Sequence, residues 1–283
     1  MTLPLAGHPV GTKKEEAKNE LDLINSAYRF LIADLFPFGR RAVIGLEHGG
    51  KNDSTEHYAG VVYWYGIDSP ALTMTDQFHT CSAKDIESHQ YNSPDASDPY
   101  ELVSRYEWGS DHAGPIMHFP AQADMTRTTQ RTSEFNVELN PKNLGVLLRR
   151  KFDYSYPNQR ADIWVKPADR DGDWQYVGQW YTAGSNTCIH SYPRKQGELG
   201  KTQPRIVTSN RRWREEEFLI PRHLTENVQR LAIRVKHIPD NRPLYPEHPF
   251  PIGSAWSEAR YYVYCYQMPE IQLTKRHASG QCK

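Results

Sequence analysis

Glu47 and Glu56 stand at the two ends of one polar loop, and a pair of carboxylates is what glycoside hydrolysis requires. A retaining enzyme needs its carboxyl groups about 5–5.5 Å apart, one as nucleophile and one as acid/base, and an inverting enzyme needs about 6.5–9.5 Å. A loop that closes tightly brings Glu47 and Glu56 towards such a range, so from residue type they are the best dyad this sequence offers. His48, Asn52, His57 and Tyr58 lie in or beside the same loop and offer hydrogen-bonding groups to a substrate, and Trp64 adds an aromatic face. The competing reading of Glu47 and His48 is a buried structural pair.

Two apolar runs must position these groups. Arg41 to Leu46 and Tyr58 to Tyr65 are rich in Val, Ile, Tyr and Trp and are separated by a Gly/Asn/Asp/Ser segment, which predicts an antiparallel strand pair joined by a loop. Along the first run Val43, Gly45 and Glu47 share one face while Ile44, Leu46 and His48 share the other. Both faces are largely apolar, so the strand is expected to be covered on both sides. A carboxylate at the end of such a strand is either paired or put to use.

Composition narrows the function classes. The 283-residue chain has 34 Lys+Arg against 34 Asp+Glu, dispersed along its length, which leaves no electrostatic footprint for nucleic acid or an acidic membrane. With 17 Tyr, 7 Trp, 20 Pro and 18 Gly among short strand-like runs, the chain reads as all-β with many turns. Flat aromatic faces also suit the C–H faces of sugars, although β-core packing accounts for most of them. No signal peptide and no run of about 20 apolar residues is visible, so no membrane segment is expected and the compartment stays open. Cys81, Cys188, Cys265 and Cys282 are far apart, without the spacing of a zinc site or a disulfide framework. No metal or cofactor is expected.

Taken in order, Met1 to Leu23 is a loop that passes into KKEEAKNE, read as a short docking helix or as a solvated surface run. Gly66 to Asp98 is polar and without period; so long a connection is functional or a surface excursion, and Asp76, His79, His89 and Tyr91 are its sugar-binding candidates. From Glu134 the strand signals become regular. Phe135–Leu139, Gly145–Phe152, Arg160–Lys166, Tyr176–Tyr181, Glu217–Ile220, Arg230–His237 and Arg260–Gln267 make about seven strands, with Arg205–Thr208 a possible eighth. Eight short strands with uneven loops fit a jelly-roll β-sandwich better than a meander. The expected division is a first region over 1–118, a linker over 119–133 where TRTTQRTS is polar, and a second region over 134–283. Asp169, Asp171 and Asp173 alternate like a calcium loop but lack its closing Glu, so a hairpin turn explains them more simply. Of Glu215, Glu216 and Glu217 only alternate members can share a face, which reads as a solvated edge; a Cys81 nucleophile with His79 or His89 is the weakest reading.

Tyr28-Arg29-Phe30, Asp34, Phe38, Glu47-His48-Gly49, Asn52 and Val61 through Tyr65 resemble the pattern of glycoside hydrolase family 172, long catalogued as a domain of unknown function. Val177 through Asn186, Trp213-Arg214 through Glu217-Phe218, and Trp256 through Tyr261 resemble that family's closing domain. Leu31 stands where the family has His, and Leu35-Phe36 where it has Pro-Ile. The resemblance implies two jelly-roll regions, the first incomplete at its N-terminus, homo-oligomeric assembly, and retaining hydrolysis of furanosides such as α-D-fructofuranosides or α-D-arabinofuranosides. The residues Gly178 to Asn186 read as a strand ending in a Gly/Asn turn, which presents Trp180 or Tyr181 at a rim to stack on a sugar or plug a subunit contact, core packing being the alternative. The family's catalytic glutamates belong to a Gly-Thr-Glu-Asp-Tyr-Phe segment expected ahead of Tyr28, which makes Thr55-Glu56-His57-Tyr58 a superficial mimic. Two functions follow: a furanosidase or its C-terminal part, and a non-catalytic carbohydrate-binding or oligomer-assembly module.

Overall fold

The computed structural model describes residues 4–11, 18–19, 24–32, 42, 44–45, 56–66, 69, 71–104, 122–193, 202–209, 211–244 and 248–270, with backbone alone for 189–193 and 202–207. The chain divides into two compact units, Met1–Ala42 and Val43–Lys283. In the first, β1 (Ala6–Gly11) pairs antiparallel with β2 (Asn25–Arg29), Ala6 opposite Arg29 and Gly11 opposite Asn25. The Tyr28 ring lies so close over Gly7 that a Cβ there would come within 2.7 Å of it, which is why glycine occupies that position.

The second unit is built from β3 (Leu72–His79), α1 (Ala83–Ser88), β4 (Tyr100–Ser104), β5 (Gln122–Thr129), β6 (Thr132–Glu138), β7 (Gly145–Asp153), β8 (Gln159–Pro167), β9 (Gln175–Thr182), β10 (Thr187–Pro193), β11 (Thr202–Thr208), β12 (Trp213–Pro221), β13 (Arg230–His237), β14 (Trp256–Glu258) and β15 (Arg260–Tyr266). Two antiparallel four-stranded sheets have the orders β12-β7-β15-β3 and β6-β13-β8-β9. The chain alternates between them, β3 in the first, β6 in the second, β7 in the first, then the β8–β9 hairpin in the second, β12 in the first, β13 in the second and β15 in the first. That order is the double Greek key of an eight-stranded jelly roll. The fold is therefore an all-β jelly-roll sandwich. A three-stranded sheet, β14-β5-β4, and the separate β10–β11 hairpin complete the unit.

Period-two alternation places the core between the sheets. Val146, Leu148 and Phe152 of β7 and Tyr261, Val263 and Cys265 of β15 meet Ile163 and Val165 of β8 and Leu231, Ile233 and Val235 of β13, all buried. Phe78, Phe135 and Tyr261 form an aromatic knot with ring centroids 4.5 to 5.3 Å apart. The core also holds charge. Glu258 is fully buried and accepts hydrogen bonds from the hydroxyls of Tyr91 (2.6 Å), Ser133 (2.6 Å) and Tyr261 (2.7 Å) and from Trp256 Nε1 (3.1 Å). On the same indole, the Arg150 guanidinium lies 3.3 Å from the Trp256 ring centroid and donates through Nη1 to Gln159 Oε1 and the Ser257 carbonyl. Burial brings Arg150 down to about 10, still charged at neutral pH. Burial, reinforced by Glu258, pushes the Tyr91 and Tyr261 hydroxyls far above the ordinary tyrosine range, so both stay proton donors to the carboxylate.

Several expectations are corrected. Gly66–Asp98 is not a structureless connection: β3 and α1 lie in it, and β3 supplies the eighth strand of the sandwich, pairing with β15 from Arg260↔His79 to Tyr266↔Leu72. Its inward positions carry threonines, with Thr75 Oγ1 3.6 Å from Cys265 Sγ, and a register shift at Val263/Tyr264 interrupts its alternation, so no apolar period marks it. Arg205–Thr208 belongs instead to the β10–β11 hairpin. Residues 119–133 are not a linker, since β5 and the start of β6 occupy them, and strands from both expected regions share sheets. The described strands of the second unit therefore make one jelly roll rather than the end of one and the whole of another. Tyr58–Tyr65, expected as a strand, takes no regular secondary structure and is exposed throughout, Val61 at 77% and Tyr65 fully. Of its expected partner Arg41–Leu46 only Ala42, Ile44 and Gly45 are described, and none lies in a strand; of KKEEAKNE only Lys18 and Asn19 are described.

Candidate functional site

Glu47, His48 and Asn52 lie outside the described residues. Glu56, His57, Tyr58 and Trp64 lie in the exposed 56–66 segment, which takes no regular secondary structure. Trp180 is not a rim aromatic. It is buried, stacked on Phe218 at 5.4 Å and edge-on to Trp256 at 5.6 Å, because alternation along β9 turns it inward opposite the small Ala161. Tyr181 takes the outward position, with its hydroxyl 3.4 Å from Asn158 Oδ1. The strand then ends in the expected Gly/Asn turn, Gly184 adopting φ +72° and donating its N–H to Asn158 Oδ1. Tyr91 and His89 are structural: Tyr91 bonds Glu258, and His89 stacks on Phe78 at 4.6 Å with Nε2 3.2 Å from Asp76. The Cys81 backbone N–H donates to His79 Nδ1, a turn contact between neighbours. Asp169–Asp173 joins β8 to β9, as a hairpin turn should, and Asp169 accepts the Gln229 N–H.

The side chains that converge lie on the outer face of β12-β7-β15-β3, and strand register arranges them in rows across all four strands. One row reads Glu215, Lys151, Arg260, His79; the next Glu217, Arg149, Tyr262, Gln77; the third Leu219, Leu147, Tyr264, Met74. The face thus passes from charged through polar and aromatic to apolar along the strands. Two hollows open on it. One of about 430 Å³ is lined by Arg149 and Glu215–Glu217, and one of about 160 Å³ by Gln77, Phe78, His79, Asp85, Arg260 and Tyr262. Tyr262 belongs to the second hollow and is the register neighbour of Arg149 in the first.

Each charge here has a partner. Arg149 donates through Nε and Nη2 to Glu217 Oε1 (2.9 and 2.6 Å), lies 3.6 Å from Glu215 and covers the Tyr264 ring at 5.0 Å. Burial would lower its pKa, but the glutamates and Tyr264 outweigh that and raise it. Asp124 of β5 reaches this face and accepts from Lys151 Nζ (2.8 Å) and Arg260 Nε (2.8 Å), with His79 Nε2 at 2.9 Å. Burial pushes Asp124 upward, yet those hydrogen bonds win and hold its carboxyl well below the usual range. Lys151 also stands 4.4 Å from the Trp213 ring centroid. Glu215 and Glu217 share this face as their alternation requires, while Glu216 turns away and pairs with Arg214. One guanidinium thus donates to Glu217 and forms an ion pair with Glu215, an arrangement that fixes acceptors and donors for hydroxyl groups.

Sequence reasoning left Arg149, Lys151, Asp124 and Tyr262 unassigned. The alternation Tyr262, Tyr264, Tyr266 was a readable signal for a tyrosine face. Asp124 offered none, since its role depends on β5 meeting the edge of another sheet. Among the described residues no group of three or more His, Cys, Asp or Glu is placed to hold a metal, and no helix is long and apolar enough to cross a membrane.

No protein-family model matches the chain, and no curated protein does. Among solved structures, one similar chain is TmCBM27, a carbohydrate-binding module studied for specific mannan recognition, at 10% sequence identity and a TM-score of 0.29, over 69% of this chain and 99% of that one. The jelly-roll assignment rests on strand order rather than on that likeness.

Proposed function

We propose that the chain recognises carbohydrate on the outer face of β12-β7-β15-β3. The observation that carries this reading is the row Glu217, Arg149, Tyr262, Gln77, which sets an aromatic ring between a guanidinium–carboxylate pair and an amide, with a hollow on either side. Saccharides present apolar C–H faces and a ring of hydroxyls, and this row offers a surface for the first and donors and acceptors for the second. No cation on the face is left unanswered, since Arg149, Lys151 and Arg260 stand among Glu215, Glu217, Asp124 and Asp85, which suits a neutral saccharide. Affinity electrophoresis in gels carrying arabinan, fructan or mannan tests it. Retardation by at least one neutral polysaccharide, lost in Tyr262→Ala, is the expected result; retardation unchanged by that substitution removes this face from the reading.

The finer reading, retaining hydrolysis of α-D-arabinofuranosides or α-D-fructofuranosides by a homo-oligomer with Glu47 and Glu56 as carboxylates, is supported by the resemblance to glycoside hydrolase family 172. It is measured by release of p-nitrophenol from the two aryl furanosides. Turnover abolished by Glu47→Gln with Glu56→Gln places the carboxylates in this chain; absence of turnover in folded protein leaves the binding module.

A further inference from the structure

We propose that the saccharide taken by the β12-β7-β15-β3 face carries O-acetyl esters whose methyl groups lie on the apolar row of that face, an inference that rests on the neutral-saccharide reading above. Three rows of different chemistry run side by side across the same four strands. Glu215, Lys151, Arg260 and His79 border the middle row of Glu217, Arg149, Tyr262 and Gln77 on one side, and Leu219, Leu147, Tyr264 and Met74 border it on the other. Successive outward residues of a strand are only about 7 Å apart, so a sugar ring on Tyr262 has one edge over charged groups and the other over the apolar row. The two edges of the ligand must therefore differ.

Leu219 is 56% exposed and Met74 47%, so the apolar row is open at both ends to whatever lies on the face. It continues along the strands into Leu72 and its register partner Tyr266, whose ring would lie 4.0 Å from a Cβ at Gly145. A bare hydroxyl turned over Leu219, Leu147 or Met74 gives up water and gains no partner. An acetyl ester reverses that balance. Its methyl removes apolar surface from water, and its carbonyl accepts at the boundary of the two rows, where the Arg149 guanidinium covers the Tyr264 ring at 5.0 Å. Arg149 keeps a donor for it: Nε and Nη2 go to Glu217, while Nη1 lies 3.6 Å from Glu215, an ion-pair rather than a hydrogen-bond distance. The strip is part of an open sheet face, so it covers a methyl group without enclosing an alkyl chain. The ester adds no charge, in keeping with cations that already have their carboxylates.

The test is affinity electrophoresis of the full chain in gels carrying arabinan, fructan or mannan, each as the unmodified polymer and after partial O-acetylation with acetic anhydride. The polymer that retards the chain is expected to bind about fourfold tighter when acetylated, the factor for removing one methyl group from water. Leu219→Ser with Met74→Ser should bring that ratio to one without shifting the melting temperature, since both side chains are exposed. Tyr262→Ala should weaken both forms by the same factor. Unmodified polymer that binds as tightly as the acetylated form, or a ratio that the double substitution leaves unchanged, overturns the proposal and leaves the saccharide reading in place. Retardation by neither form of any of the three polymers, or retardation that Tyr262→Ala leaves intact, overturns both.

Discussion

The two outer faces of the sandwich grow from the same alternation over one shared core, and they differ in how charge is answered. On β12-β7-β15-β3 every cation meets a carboxylate, and Asp124 gathers Lys151, Arg260 and the His79 ring by itself. On β6-β13-β8-β9 the ion pairs are separate, Arg234 with Glu134 and Arg230 with Glu138, and Trp174 lies under Arg234 and Lys166. Most inward residues of both sheets are Val, Ile, Leu and aromatic, with Arg150 a buried charge among them, so most of the difference between the faces lies in the outward set. A jelly roll can thus hold one core while its two outer faces carry different side chains.

That comparison breaks completely if the core is broken. Glu258→Ala leaves the Tyr91, Ser133 and Tyr261 hydroxyls and the Trp256 indole N–H without their buried acceptor, and should cost about 3–5 kcal/mol in denaturant unfolding. Trp180→Ala opens a cavity between Phe218 and Trp256 and should cost a similar ~3–5 kcal/mol, whereas its exposed neighbour in Tyr181→Ala should stay within ~0.5 kcal/mol. A small loss in the tryptophan variant would contradict its place in the core. Tyr262→Ala should sharpen the contrast, lowering affinity for neutral polysaccharide by at least about tenfold, ~1.4 kcal/mol, in calorimetric titration without shifting the melting temperature.

A smaller effect separates the faces by pH. Asp124 has a folded pKa held below its ordinary 3.8, so its contribution is present above that value and is lost as pH falls below it through the folded value. Asp124→Asn should therefore flatten the decline of melting temperature with acid below about pH 4. An unchanged acid profile in that variant would show that Lys151, Arg260 and His79 do not depend on the carboxylate.

The strands from Phe135 to Tyr266 were legible because most of their inward residues are apolar and alternate, as in Val146, Leu148 and Phe152, with Arg150 the charged exception. β3 was not, because Thr73 and Thr75 break its apolar period ahead of the buried Phe78 and a bulge shifts its register. The 119–133 stretch read as a linker for a related reason: Thr126, Thr128 and Thr129 are buried polar residues whose partners, such as the Glu258 carbonyl on Thr126 Oγ1, come from 132 residues away. For the candidate site, Glu215 and Glu217 were recognisable as a shared face, while the Arg149 that binds both was hidden in an apolar run.

By itself the sequence determined the all-β class, seven of the eight sandwich strands and which side chains on each strand share a face, because these follow from local alternation and turn residues. Only the tertiary structure decided that Trp180 packs inward against Trp256, that Leu72–His79 closes the sheet, and that Asp124 joins three basic groups on one face. These depend on strand order and register between residues far apart in the chain, and such pairings have no local signature.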